Sequence, residues 1–246
     1  MAGVRGILSA DSTELISLKI VEPSTLFTDW LLAIVTIWLA WELLGQALRL
    51  RDRAVGLWVG AFGAVGGSVL LAGIVQTFST SMDPSTVALA RTGTLVLASA
   101  ASLLFLLSTL RAFTAGRVLA IGAGLAVAKF TLFAVYVAVN DDARMVIYDS
   151  ALTMLVVIVL STWGAWAQRL PSATWILAGV LVSMLAALFQ QGRVSIHPRF
   201  TYNDLYYVVQ TAAMYLLYRG GLLLRQRTNS VPDFEATQPL PFAREE

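Results

Sequence analysis

The stretch AVGLWVGAFGAVGGSVLLAGIVQT, residues 54–77, runs for 24 residues without a charged side chain. A helix needs about 20 predominantly apolar residues to cross the hydrocarbon core of a bilayer. This segment meets that requirement with no interruption, so it reads as a membrane span. Six further stretches read the same way: 26–48, 87–110, 117–139, 144–167, 173–191 and 203–224. Short connections make sequence neighbours antiparallel. The expected fold is therefore all-α: one integral membrane bundle of seven transmembrane helices.

Composition agrees. Of 246 residues, 57% are hydrophobic and 13% charged, and the mean hydropathy is +0.73. A soluble domain carries about 25% charged residues. Too few charges are present to cover a water-facing surface, so the surface must face lipid. Residues 1–25 read as an external segment, interrupted by Asp11, Glu14, Lys19 and Glu22 and so unlike a signal peptide. Residues 26–224 form the expected bundle. Residues 225–246, with Pro232, Pro239 and Pro241, read as a flexible cytoplasmic tail.

Lys and Arg placement sets the expected orientation. Nine lie on one side (Arg49, Arg51, Arg53, Arg111, Arg117, Arg169, Arg219, Arg225, Arg227) and five on the other (Arg5, Lys19, Arg144, Arg193, Arg199). The N-terminus is accordingly expected outside and the C-terminus in the cytoplasm.

Cysteine is absent and His197 is the lone histidine. That excludes disulfides, thiolate chemistry and any multi-histidine metal site within the chain. No basic, aromatic-interleaved patch suggests nucleic acid. Small residues form Gly63-x-x-x-Gly67, with Gly60, Ala64 and Ser68 nearby, and a second series at Ala120, Gly124 and Ala128. Both are read as close packing within the bundle, with a partner helix as the alternative.

Ionisable groups inside a membrane need a reason. Glu42, Arg91 and Lys129 are the intramembrane charges. Lys129, near the middle of the fourth span, is read as half of an ion pair with Glu42 or Asp149. A retinal Schiff base is the competing reading. Other polar residues gather at the outer ends of the spans: Asp29, Gln76, Asp149, Tyr202, Asn203, Asp204, Tyr207 and Gln210. Asn203, Tyr207, Gln210 and Met214 share one helix face by spacing. Two readings stay open for this set, a ligand pocket or ordinary helix-end residues meeting headgroups.

Four segments, EPSTLFTDWLLA (22–33), KFTLFAVYV (129–137), DDARMVIYD (141–149) and HPRFTYNDLYYVVQTAAMYLLYRGGLLL (197–224), resemble an uncharacterised bacterial seven-helix family. That family is similar to the alkaline ceramidases and the progestin and adipoQ receptors, in which histidines hold zinc. The resemblance implies a membrane hydrolase fold with a zinc-activated water. It also implies GGTYHGF at the end of the second span and HNDLYH at the start of the last. This chain reads AGIVQTF (72–78) and YNDLYY (202–207). Gln76, Tyr202 and Tyr207 thus stand where the resemblance implies histidines. Amides and phenols are poor zinc ligands. No metal or other cofactor is therefore expected.

The expected function is non-catalytic: a scaffold or accessory subunit of a membrane complex, holding a lipid in a degenerate ceramidase-like pocket. The alternative is a hydrolase of lipid amides or esters with a non-standard site. Expected partners are membrane lipids and other membrane subunits, in a bacterial inner membrane. A transporter or channel lacks the broken-helix pair and inverted repeat that would point to it.

Overall fold

The computed structural model describes residues 23–140, 144–197 and 200–224. The expected tail, nearly all of the expected external segment, and Asp141 and Asp142 lie outside the described residues. Seven helices follow in order: α1 (Pro23–Leu50), α2 (Arg53–Phe78), α3 (Pro84–Phe113), α4 (Gly116–Asn140), α5 (Arg144–Trp166), α6 (Pro171–Gln191) and α7 (Tyr202–Leu224). Six of them, α1 to α6, are long and apolar enough to cross a membrane. The chain is a multi-pass membrane protein. The exception is α7, where Asn203, Asp204, Gln210, Arg219 and five tyrosines lower the hydropathy.

The helices match the seven expected spans and overrun several of them by a few residues. Local signals set the ends. Asp52 caps α2, its carboxylate accepting from the Ala54 amide at 2.7 Å, which satisfies an orphan donor of the first turn. Pro84 and Pro171 open α3 and α6, where a missing N–H costs nothing. Arg51, with φ 51°, and Gly116, with φ 58°, take the left-handed conformation in the tight turns before α2 and α4.

Helices α1, α2, α3, α5, α6 and α7 form a ring, and α7 closes onto α1. Helix α4 stands outside it, packed on α3 and barely touching α5. The ends where α1, α3, α5 and α7 begin are called the upper end. Toward the lower end, Trp58 fills the middle of the ring. It is fully buried, packs edge-on against Phe105 at 4.9 Å, and donates its indole N–H to the Leu217 carbonyl at 3.1 Å. Large apolar side chains face outward on α1 (Phe27, Ile34, Trp41), α4 (Ile121, Leu125, Leu132) and α5 (Leu155, Val159, Trp163). Such a surface is stable only against lipid.

Small residues do bring helices together, but not all the expected ones. On α2, Gly66 and Gly73 press on Ile37 and Trp30 of α1, while Gly60 and Gly67 meet Leu104 and Leu97 of α3. Gly63, half of the expected pair, faces open space. Ala120, Gly124 and Ala128 are also exposed, because α4 turns that face away from the ring. The tightest approach, between α6 and α7, involves glycines the sequence reading did not single out. A Cβ on Gly179 would lie 2.7 Å from the Leu217 side chain. One on Gly220 would lie 2.5 Å from Ile176 Cγ1 and 3.2 Å from the Ile176 amide nitrogen.

Gly220→Ala should therefore destabilise the bundle by roughly 1–3 kcal/mol, as overpacking against backbone does. Gly124→Ala should be neutral or slightly stabilising, since alanine is the better helix former by about 1 kcal/mol. Thermal unfolding of the two variants in one detergent checks this. Equal melting would contradict the assigned α6–α7 contact.

Candidate functional site

Three polar groupings stand out. The first centres on Lys129, about midway along α4, whose side chain reaches in toward the ring. Its ammonium meets the Asp149 carboxylate of α5 at 2.5 Å, the Thr153 hydroxyl at 2.8 Å and the Asp149 carbonyl at 3.2 Å. Three N–H donors thus have three acceptors. The other Asp149 oxygen accepts from Ser99 of α3 at 3.0 Å. Side-chain exposure is 17% for Lys129 and 3% for Asp149. This is the ion pair expected from the sequence, with Asp149 as the partner. The alternative partner, Glu42, is exposed on α1. The pair ties the outboard helix α4 to the ring where the two otherwise scarcely touch.

The second grouping lies at the upper end. Asp204 is fully buried. One oxygen accepts from the Thr201 amide at 2.7 Å and the Thr201 hydroxyl at 3.0 Å, and the other accepts from Thr28 of α1 at 3.1 Å. Thr201 and Asp204 form a capping box on α7, so this carboxylate anchors a helix start and staples it to α1. Asp29, equally buried, lies beside Tyr207 and close to Asp204. Its Oδ1 has no hydrogen-bond partner among the described residues. Gly73 of α2 faces it, and a Cβ there would be in ordinary contact with Asp29 Cβ at 3.5 Å.

The third is a cavity of about 250 Å³ lined by all six ring helices. Trp58, Leu217 and Met214 line it toward the lower end, and Val146 and Tyr206 toward the upper end. Phe105, Val157 and Val180 are among its apolar walls. Ser68, Ser102, Ser150, Thr153, Ser183 and Gln210 supply its polar positions. None of the lining residues is charged. Gln210 donates to the Ser183 hydroxyl at 3.2 Å and approaches Met214 sulfur at 3.7 Å, leaving its carbonyl oxygen as an acceptor.

The residues expected to line one pocket are therefore divided. Asp29, Asp204 and Tyr207 cluster, Asp149 belongs to the ion pair, and Gln210 alone lines the cavity. Asn203 meets Gln190 at 3.4 Å, and Tyr202 opens α7. Gln76 does not join them. It is exposed and shares a groove between α2 and α3 with Arg91. The α2 residues turned inward at that level are Gly73 and Thr77. Sequence reasoning missed Ser99, Thr153, Thr28, Ser183 and Tyr206. Only the Thr201-x-x-Asp204 spacing carried a readable signal.

The chain belongs to DUF6962, a family of unknown function. The DUF6962 match covers residues 24–226, which takes in all seven helices and each grouping above. Neither the curated proteins nor the solved structures include a match. Within the DUF6962 region, no three His, Cys, Asp or Glu side chains among the described residues stand close enough to hold a metal. His197 lies exposed in the α6–α7 connection.

Lys129→Met should cost about 3–5 kcal/mol, because it leaves the Asp149 carboxylate buried without its counter-charge. Lys129→Met combined with Asp149→Leu should recover most of that loss. A double-mutant cycle by thermal or denaturant unfolding measures both, and strict additivity would count against a coupled pair.

Proposed function

We propose that this chain is a non-catalytic, seven-span membrane protein that holds an uncharged lipid in its central cavity. In this reading it serves as an accessory subunit of a membrane complex, in a bacterial inner membrane with the N-terminus outside. The observation that carries the reading is the charge balance around the cavity. Its walls are apolar with neutral polar points. The nearest charges, Lys129 and Asp149, have their donors and acceptors taken by each other and by Ser99 and Thr153. A charged headgroup would find no free counter-ion there, and burying an unpaired charge is costly. A hydroxyl, amide or ester would meet Gln210, Ser102 and Ser150.

The likeness to the ceramidase and adipoQ receptor superfamily, carried by the segments quoted above, supports a lipid as occupant. Gln76, Tyr202 and Tyr207 at the histidine positions support a role without zinc. The Lys and Arg asymmetry supports the orientation. The apolar length of α7 is the weakest of the seven, and its place between α6 and α1 supports counting it as a crossing.

One observation favours a second reading, a hydrolase with a non-standard site. Asp29 has an unpartnered oxygen beside Tyr207 and Asp204, and Tyr206 links that corner to the cavity. A carboxylate with a free oxygen is a competent general base.

Lipid extracted from the purified protein and identified by mass spectrometry tests the first reading. A neutral amphiphile should co-purify at near-stoichiometric ratio and be lost from Ala98→Phe, which fills the cavity. Finding that the lipid lost from Ala98→Phe is anionic, or that the neutral lipid is retained equally by Ala98→Phe, would refute it. Turnover of added lipid amide or ester that disappears in Asp29→Asn would instead establish the hydrolase.

A further inference from the structure

At the lower end, a groove of about 650 Å³ is bordered by the α1–α2 turn, the α3–α4 turn and the start of α6. Three arginines line it, Arg51, Arg53 and Arg111. The sole acid among the lining residues is Asp52, which caps α2 through the Ala54 amide. The local balance of these four side chains is therefore +2. Three long helices, α2, α4 and α6, begin here, at Arg53, Gly116 and Pro171, so their positive dipole ends share the same space. Ser172 is 4% exposed and lines the groove, with no hydrogen bond from its hydroxyl to any described residue. Leu50, Phe113, Leu119 and Leu224 give the groove apolar walls.

We propose that this groove is a binding site for the headgroup of an anionic phospholipid. It places cationic side chains and helix N-termini at the ends of the spans, where a bilayer surface would lie, beside apolar walls. Basic pockets of this kind between transmembrane helices select phosphate-bearing lipids, and arginine suits phosphate through its planar fork of donors. Ser172 contributes a hydroxyl to a phosphate oxygen. The chain's own continuation is the poorer match in charge, because the first charged residues after Leu224 are Arg225 and Arg227, and its acids begin only at Asp233. The site is separate from the central cavity and does not depend on the function proposed for it.

The test is lipid retention by the full-length protein in nanodiscs of phosphatidylglycerol and phosphatidylcholine, read by native mass spectrometry. The wild type should retain phosphatidylglycerol preferentially. The triple variant Arg51→Gln, Arg53→Gln, Arg111→Gln should lower that preference by roughly a hundredfold, about fivefold per arginine. Arg219→Gln, away from the groove, should leave it unchanged. Thermal unfolding of each variant separates lost binding from lost folding, and Ser172→Ala provides a milder second probe expected to lower retention severalfold. Inorganic phosphate at millimolar concentration should fail to displace the lipid. Displacement by phosphate alone would show a site for free anion and overturn the proposal. So would an equal loss in Arg219→Gln, which marks general surface charge. Neutralising Asp233, Glu235, Glu245 and Glu246 to their amides should not change retention. A rise would place the tail in the groove and overturn the proposal as well.

Discussion

A bilayer offers no water to a polar group in its middle, so each such group must find partners within the protein. The Lys129–Asp149 pair is where that constraint bears hardest. Lysine stands midway along the helix with the least cover, and it reaches inward to an acid on a helix that its own hardly touches. Ser99 and Thr153 complete the set, drawing in α3 and a second turn of α5. The pair is therefore a tether as well as a neutralised charge. It sets α4 against the ring and leaves the adjoining cavity without net charge.

The two ends of the bundle differ for related reasons. At the upper end an acid is used for architecture. Asp204 caps α7 and holds Thr28 of α1, with Asp29 buried beside it. At the lower end arginines and helix starts gather around an open groove. Between them the ring is closed by contacts of glycine against side chain and backbone, at Gly179, Gly220 and Gly221, alongside the Gln210–Ser183 and Trp58–Leu217 hydrogen bonds. Hydrophobic attraction between helices is weak in lipid, so close packing of this kind takes its place.

Much of the fold was legible from residue order. Predominantly apolar runs of about 20 residues leave one solution for the backbone in lipid, and the helix limits agree with those runs within a few residues. The Lys129 ion pair was also legible, because a buried lysine needs an acid. Three things were not. The displacement of α4 from the ring depends on which helix faces meet, and its weak amphipathicity gave no sign of that. The small-residue series at Ala120, Gly124 and Ala128 looked like packing but faces outward, while Gly179 and Gly220, spaced without a motif, do the packing. The supposed pocket residues clustered in sequence at helix ends, yet a helix turn of difference sent Gln76 outward and turned Gly73 and Thr77 inward.

The neutrality of the cavity rests on the state of one carboxyl group. Infrared spectra of protein carrying isotope-labelled aspartate, compared between wild type and Asp149→Asn, report that state directly. Loss of an ionised carboxylate band in the variant is the expected result. Loss of a protonated carbonyl band instead would mean that Lys129 and Asp149 share no ion pair, and the charge balance around the cavity would have to be redrawn.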